Sequence, residues 1–260
     1  MNNIRFVQTP ILRLGEATST NDIAISMAEE DAEAFTTILA ETQTAGRGRA
    51  GHEWVSPPGV AIYLSVILRP NLPSDKLPLA TLAVGIAAAE AIAAETGLDA
   101  GIKWPNDILV NGRKTAGILC EACSSKTLPT AVVAGIGINV NTPEEALPPR
   151  PIFPATSLAV EANRPFDREA ILDTFLEKLH DAVQRLEEPD GIDKTVARFN
   201  QLDALSGKTI SVALPDGSTA TGINAGAQRD GTLLLRTDDG CHTIVAGSVA
   251  LPTEAPPERS

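Results

Sequence analysis

Between Gly101 and Glu121 the chain reads GIKWPNDILVNGRKTAGILCE, which puts a lysine, a Trp-Pro step, an Asn-Asp pair and a tight turn side by side. Pro105 fixes its own φ and pushes Trp104 away from the helical region. Lys103 and Trp104 are therefore extended, and Asn106 and Asp107 project from a defined bend. Asn111-Gly112 between apolar segments is a hairpin signal, because a type I′ turn needs φ > 0 at both central residues. The hairpin brings Lys103 and Lys114 near one another, on or beside adjacent strands. An ordinary hairpin with charged turn residues is the plain alternative. A second basic segment, Glu41 to Pro58 (ETQTAGRGRAGHEWVSPP), shifts the balance, because two anion-seeking sites in one chain ask for one anionic ligand.

Gly46 to Gly51 (GRGRAG) matches the letters of a dinucleotide fingerprint, which has meaning only when a helix follows. Pro57 and Pro58 follow soon after and forbid that helix. The glycines instead allow close backbone approach to a ligand, while Arg47 and Arg49 offer planar forks for carboxylate or phosphate. A solvated loop would explain the glycines but not the flanking Gln43 and Trp54. Ser19-Thr20-Asn21-Asp22 precedes a helical apolar pattern and could simply cap it. The same hydroxyls and N–H groups could also hold a small polar head group. Thr130 to Asn141 (TAVVAGIGINVN) reads as a buried strand whose glycines suggest that a ligand approaches its backbone.

These four segments, in this order, resemble the biotin protein ligase family over nearly the whole chain. The resemblance is carried by STND (Ser19 to Asp22), QTAGRGRAG (Gln43 to Gly51), KWPNDI (Lys103 to Ile108), GRKTAGIL (Gly112 to Leu119) and GIGINVN (Gly135 to Asn141). It implies a two-step acyl transfer. Biotin and ATP, with Mg²⁺, give biotinyl-5′-AMP and pyrophosphate, and a lysine of a biotin carboxyl carrier protein or domain then takes the biotinyl group. Such chemistry brings a carboxylate and a triphosphate together, so preorganised cations and N–H donors should carry the largest share of catalysis. The resemblance makes Ser19, Thr20, Asn21, Gln43, Gly46, Arg47, Arg49 and Lys103 biotin-binding. It makes Arg47, Arg49, Trp54, Lys103, Asn106, Lys114 and Asn139 ATP-binding, Lys103 and Arg49 catalytic, and Trp54 and Trp104 walls. Mg²⁺ would arrive on the phosphates, with no dedicated protein metal site. The chain departs from the pattern at Ala50 and His52, where further basic residues often stand, which points to a looser clamp on the intermediate. Phe153 in the proline-rich stretch from Thr142 to Ser157 is the candidate cover for the adenine.

Composition frames these motifs. A chain of 260 residues can bury a large core and suggests one larger domain with a small one. Its net charge of −12 argues against a general nucleic-acid surface. STND is reached within the first quarter-hundred residues, so a monofunctional enzyme without a DNA-binding domain is expected. Met1 to Pro10 lacks a signal-peptide pattern, and Leu79 to Ala94 reads as a packed core helix rather than a membrane span. Three cysteines cannot frame disulfides and fit a reducing cytoplasm. The lone C-x-x-C of Cys120 and Cys123 lacks a second ligand pair. Ser206 to Thr209 lacks the first glycine of a phosphate loop, and no nucleophile elbow is present for a hydrolase.

The pattern predicts strands at Phe35 to Glu41 and Ala61 to Leu68, a helix at Leu79 to Thr96 and an amphipathic helix at Arg168 to Glu188. Turn signals at Pro215-Asp216-Gly217, Asp230-Gly231 and Asp239-Gly240 predict a small antiparallel barrel over Lys208 to Leu251. The fold class is α/β (α+β), with a mixed-sheet ligase-like catalytic domain at 1–204. The family resemblance makes 205–252 an SH3-like domain, and a disordered tail at 253–260 completes the expected organisation. A lipoate or octanoate ligase and a non-enzymatic biotin sensor remain rival readings, and the oligomeric state is left open, a homodimer included.

Overall fold

The structure, a computed structural model, describes residues 10–55, 57–149 and 153–252. The expected tail at 253–260 and most of the Met1 to Pro10 segment lie outside the described residues. Seven strands form one sheet: β1 (Ile11–Leu14), β2 (Thr37–Ala40), β3 (Ile62–Leu68), β4 (Ala100–Lys103), β5 (Asp107–Val110), β6 (Arg113–Cys123) and β7 (Ala131–Ile138). Their order is β1-β2-β3-β7-β6-β5-β4. Only β1 and β2 run parallel, so the sheet is mixed as the sequence predicted.

Helices cover both faces. On one side lies α1 (Thr20–Glu29), whose Ala24 and Ala28 pack on Ile38, Ile67 and Val133. On the other lies α2 (Leu79–Thr96), backed by α4 (Arg168–Leu186) and α5 (Gly191–Leu202). A short α3 (Leu158–Ala162) precedes α4. The alanine-rich surface of α2 lets it sit close to the strands, and Gly85 rests against Ile102 and Ile118. Gly97 stops the helix in the left-handed conformation at φ 74°, with its N–H on Ala93 O. By length and apolar character this helix could span a bilayer. Its apolar residues are buried against sheet and helices, as expected for a core helix. In α4, Ile171, Leu172, Phe175, Leu179 and Val183 form the buried stripe, and Leu176 packs at its margin.

The chain then forms a five-stranded antiparallel sheet from β8 (Thr209–Ala213), β9 (Thr219–Ala227), β10 (Leu233–Thr237), β11 (Gly240–Ile244) and β12 (Ser248–Ala250). Its order is β11-β10-β9-β8-β12, and each of the three predicted turns joins consecutive strands. Two polar anchors fix this sheet to α5 and the turn that follows it. The Asp203 carboxylate accepts from Leu205 N at 2.9 Å and Asn224 Nδ2 at 2.8 Å, and burial pushes its pKa up. The Asn200 amide brackets Ala227 through both its backbone groups.

The predicted hairpin turn is present, with φ of 51° at Asn111 and 75° at Gly112. Lys103 and Lys114 are not on adjacent strands, because β5 lies between β4 and β6. A bulge then matters: Ile108 pairs with Ala116 but Leu109 with Lys114, so Thr115 is the extra residue. Strand side chains alternate faces, and three positions separate Lys114 from Gly117, so regular pairing would turn it away from Asp107. The bulge returns Lys114 to the face that carries Asp107.

Candidate active site

The α1 face of the sheet is stripped of side chains at its centre. Gly117 of β6 lies opposite Gly137 of β7, and the next cavity-facing pair is Leu119 with Gly135. A Cβ on Gly135 would fall 2.0 Å from Asn21 Oδ1, and one on Gly137 would fall 2.4 Å from Trp54 Cε2. The glycines were expected to admit a ligand to the backbone, yet this chain's own Asn21 and Trp54 fill that space. Those two side chains, seated on bare backbone, help to line a cavity of about 430 Å³.

One end of the cavity is a neutral polar network. Gln43 Oε1 accepts from Thr20 N at 2.8 Å and Thr20 Oγ1 at 3.2 Å. Ser65 Oγ lies 2.8 Å from Thr20 Oγ1 and donates to Asn21 Oδ1 at 2.6 Å. Asn21 Nδ2 donates to Leu119 O and Glu121 Oε2. Ser19 stands at the N-cap of α1, but its buried side chain makes no capping bond, so the capping explanation for that hydroxyl fails. Sequence reasoning missed Ser65. The signal was there: it is a small hydroxyl side chain on the α1 face of the otherwise largely apolar strand IYLSVIL.

The other end is cationic. Lys103 Nζ lies 2.8 Å from Asp107 Oδ2, and Lys114 Nζ lies 2.5 Å from Asp107 Oδ1, all three being nearly buried. Burial alone would raise the Asp107 pKa, but the two ammonium groups outweigh it and hold the carboxyl below its ordinary range. The trio keeps a net charge of +1. Arg49 Nη1 donates to Asn106 Oδ1 at 3.2 Å, and Asn106 Nδ2 donates to Ile118 O. Arg47 reaches the neutral end instead, bridging Asp22 and Glu121, and its pKa is raised chiefly by the hydrogen bond to Glu121.

The structure thus brings Ser19, Thr20, Asn21, Gln43, Arg47, Arg49, Trp54, Lys103, Asn106 and Lys114 to one cavity. Gly46, expected at the biotin, does not line the cavity; its carbonyl accepts from Trp54 N at 2.9 Å. Asn139 is placed differently: it lines a smaller adjoining pocket with Trp54, Lys114 and Ala155, and its Nδ2 holds Thr156 O at 3.0 Å. Phe153 covers Lys103, with Nζ 5.2 Å from the ring centroid. Trp104 proves to be core rather than wall. It is 3% exposed and its indole N–H donates to Gly231 O in the second sheet. One wall was invisible in the sequence, namely Ala213 to Pro215 and Ala246 to Val249 of that second sheet. Cys120 and Cys123 sit three apart on β6 and so face opposite ways, and burial lifts the Cys120 thiol to about 11. Among the described residues no group of three or more His, Cys, Asp or Glu could hold a metal.

The chain is similar in sequence and fold to known proteins. The biotin/lipoate A/B protein ligase family matches residues 14–139. The bifunctional ligase/repressor BirA of Bacillus spizizenii is 34% identical over 237 residues, covering 90% of this chain and 71% of that protein. The biotin–[acetyl-CoA-carboxylase] ligase of Mycobacterium tuberculosis is 32% identical over 215 residues, covering 81% and 76%. Among solved structures, the Aquifex aeolicus biotin protein ligase in complex with biotin and ATP superposes with a TM-score of 0.77 at 27% identity, over 92% of this chain and 97% of that one. With the glycine-floored cavity, its polar end and its lysine pair all within this shared framework, the chain belongs to the biotin/lipoate A/B protein ligase family, among its biotin protein ligases.

Proposed function

We propose that this protein joins biotin to ATP, forming biotinyl-5′-AMP and pyrophosphate, and then transfers the biotinyl group to a lysine of a biotin carboxyl carrier protein. The observation that carries this reading is the polarity of one cavity, with the neutral hydrogen-bonding side chains of Thr20, Asn21 and Gln43 at one end and the Lys103–Lys114 pair at the other. A ureido ring fits the first end and a carboxylate meeting a phosphate fits the second.

In the first step a biotin carboxylate oxygen attacks the α-phosphorus, and the bond to the bridging oxygen breaks as pyrophosphate leaves. No base is required, since the nucleophile is already an anion. Negative charge accumulates on the phosphoryl oxygens, where Lys103, Lys114 and Arg49 supply fixed cations. Asp107 keeps the two lysines at set positions without cancelling both charges. In the second step the neutral amine of the acceptor lysine attacks the mixed-anhydride carbonyl, AMP leaves, and the amine proton is released. Magnesium enters as part of the substrate MgATP, in keeping with a site whose one buried carboxylate is committed to lysines. The net charge of −12 supports a reading without nucleic acid, and free thiols at Cys120, Cys123 and Cys241 fit a cytoplasmic setting.

The test is intact mass of a biotin carrier domain after incubation with the protein, MgATP and either biotin or lipoate. A biotinyl increment alone supports the ligase. A lipoyl increment would transfer the case to a lipoate ligase, and adenylate formation with no labelled carrier would leave only a binding protein.

A further inference from the structure

Glu121 stands beside the polar end of the cavity, where α1 meets the glycine-arginine loop. It continues the cavity-facing row of β6 one step past Leu119, paired with Val133. Its Oε2 accepts from Asn21 Nδ2 at 2.8 Å and from Arg47 Nη2 at 2.8 Å, and its Oε1 accepts from Arg47 Nη1 at 3.0 Å. The guanidinium therefore meets the carboxylate fork to fork, the strong and directional form of the contact. Arg47 Nη2 also lies 2.6 Å from Asp22 Oδ1 in the first turn of α1. Arg47 is bridged in turn to Glu53, beside the Trp54 that lies on the glycine floor. A hold on Arg47 is thus a hold on the whole loop from Gly46 to Trp54.

Resting on the ligase reading, we propose that Glu121, assisted by Asp22, is a positioning residue that straps the glycine-arginine loop across the polar end of the cavity and so sets how long biotin and its adenylate are retained. A carboxylate suits the task because it only accepts. It turns the Asn21 amide so that Nδ2 faces Glu121 and Oδ1 faces Ser65, while its second oxygen holds Arg47. A glutamine could keep a carbonyl oxygen between Asn21 Nδ2 and Arg47 Nη2, but it would turn an amide N–H toward Arg47 Nη1 and break the fork-to-fork contact. Glu121 does not approach the lysine cluster, so its effect falls on retention rather than on phosphoryl chemistry.

The experiment compares wild type, Glu121→Gln, Asp22→Asn, Arg47→Ala and the Glu121→Gln/Arg47→Ala pair. Dissociation of labelled biotin is followed by chase, and biotinyl-AMP freed into the filtrate is counted without carrier. Glu121→Gln should speed release of both about fivefold, a partly exposed charge-assisted pair being worth that much, and should raise KM for biotin with kcat within about twofold. Asp22→Asn should move the same way by less. The double variant should release no faster than Arg47→Ala alone. Unchanged release in both carboxylate variants, or effects that multiply in the double variant, would overturn the strap. Should Glu121→Gln fail to fold by circular dichroism, Asp22→Asn and its combination with Arg47→Ala decide the matter. Wild type that makes no biotinyl-AMP defeats the ligase reading itself, which is a separate outcome.

Discussion

Two lysines on one carboxylate is an arrangement with a built-in bias. Nearly buried ammonium groups are costly, and Asp107 compensates them while leaving one positive charge for substrate. Lys103→Ala should lower the rate of pyrophosphate release about 100-fold, the scale for losing one preorganised charge donor. A rate within threefold of wild type would show that Lys114 carries the phosphoryl charge alone. Asp107→Ala leaves two like charges facing each other, and urea unfolding should report a loss of about 3 kcal/mol. The pH dependence follows from the direction of the Asp107 shift. A carboxyl held below its unfolded value stabilises the fold fully above that value, and the contribution fades as pH falls through the folded one. Wild type should therefore lose this stabilisation only below about pH 4. Asp107→Ala should show a flatter acid limb in the same titration.

At the scale of elements, the site depends on where strands carry no side chain. Gly137→Ala would set a methyl 2.4 Å from Trp54 Cε2, and Trp54 cannot stay where it is. Its fluorescence should shift toward that of exposed indole, with KM for ATP rising several-fold; an unchanged spectrum would show that the floor has slack. Much at this scale was legible in the sequence. The Asn111-Gly112 turn, the helix over Leu79–Thr96 and the buried stripe of α4 all follow from local chemistry and periodicity. Asp107 between the lysines was not legible, because it requires the bulge at Thr115, and a one-residue slip in register leaves no mark in composition. Glycines 135 and 137 announced close approach, but not that Asn21 and Trp54 would be the visitors. Ser65 was hidden for a simpler reason: a single serine among apolar neighbours reads as a tolerated core residue until its partners from α1 are in place.

At the scale of the molecule, the second sheet is more than an appendage. It supplies one wall of the cavity and is tied to the Lys103 strand in two ways: the segment that leads into it is held there as Ala204 N donates to Ile102 O, and Trp104, next after that strand, donates from Nε1 to Gly231 O in the β9–β10 turn at 3.0 Å. Trp104→Phe removes the second tie and keeps most of the packing. It should cost about 1 kcal/mol in urea unfolding and speed hydrogen exchange in the β9–β10 turn. Full protection in that turn would show that Asp203 and Asn200 hold the sheet unaided.

The wall at Ala246–Val249 also bears on how the protein comes into being. A ribosome delivers Ser19, Gln43, Lys103 and Lys114 well before it delivers β12, with more than a hundred residues, several seconds of synthesis, between Lys114 and Val249. Throughout that interval the nascent chain holds its lysines and its polar end but not its last wall. Competence to enclose a reactive anhydride, one that would modify stray amines, therefore arrives only once β12 has been made, long after the lysines that serve its formation.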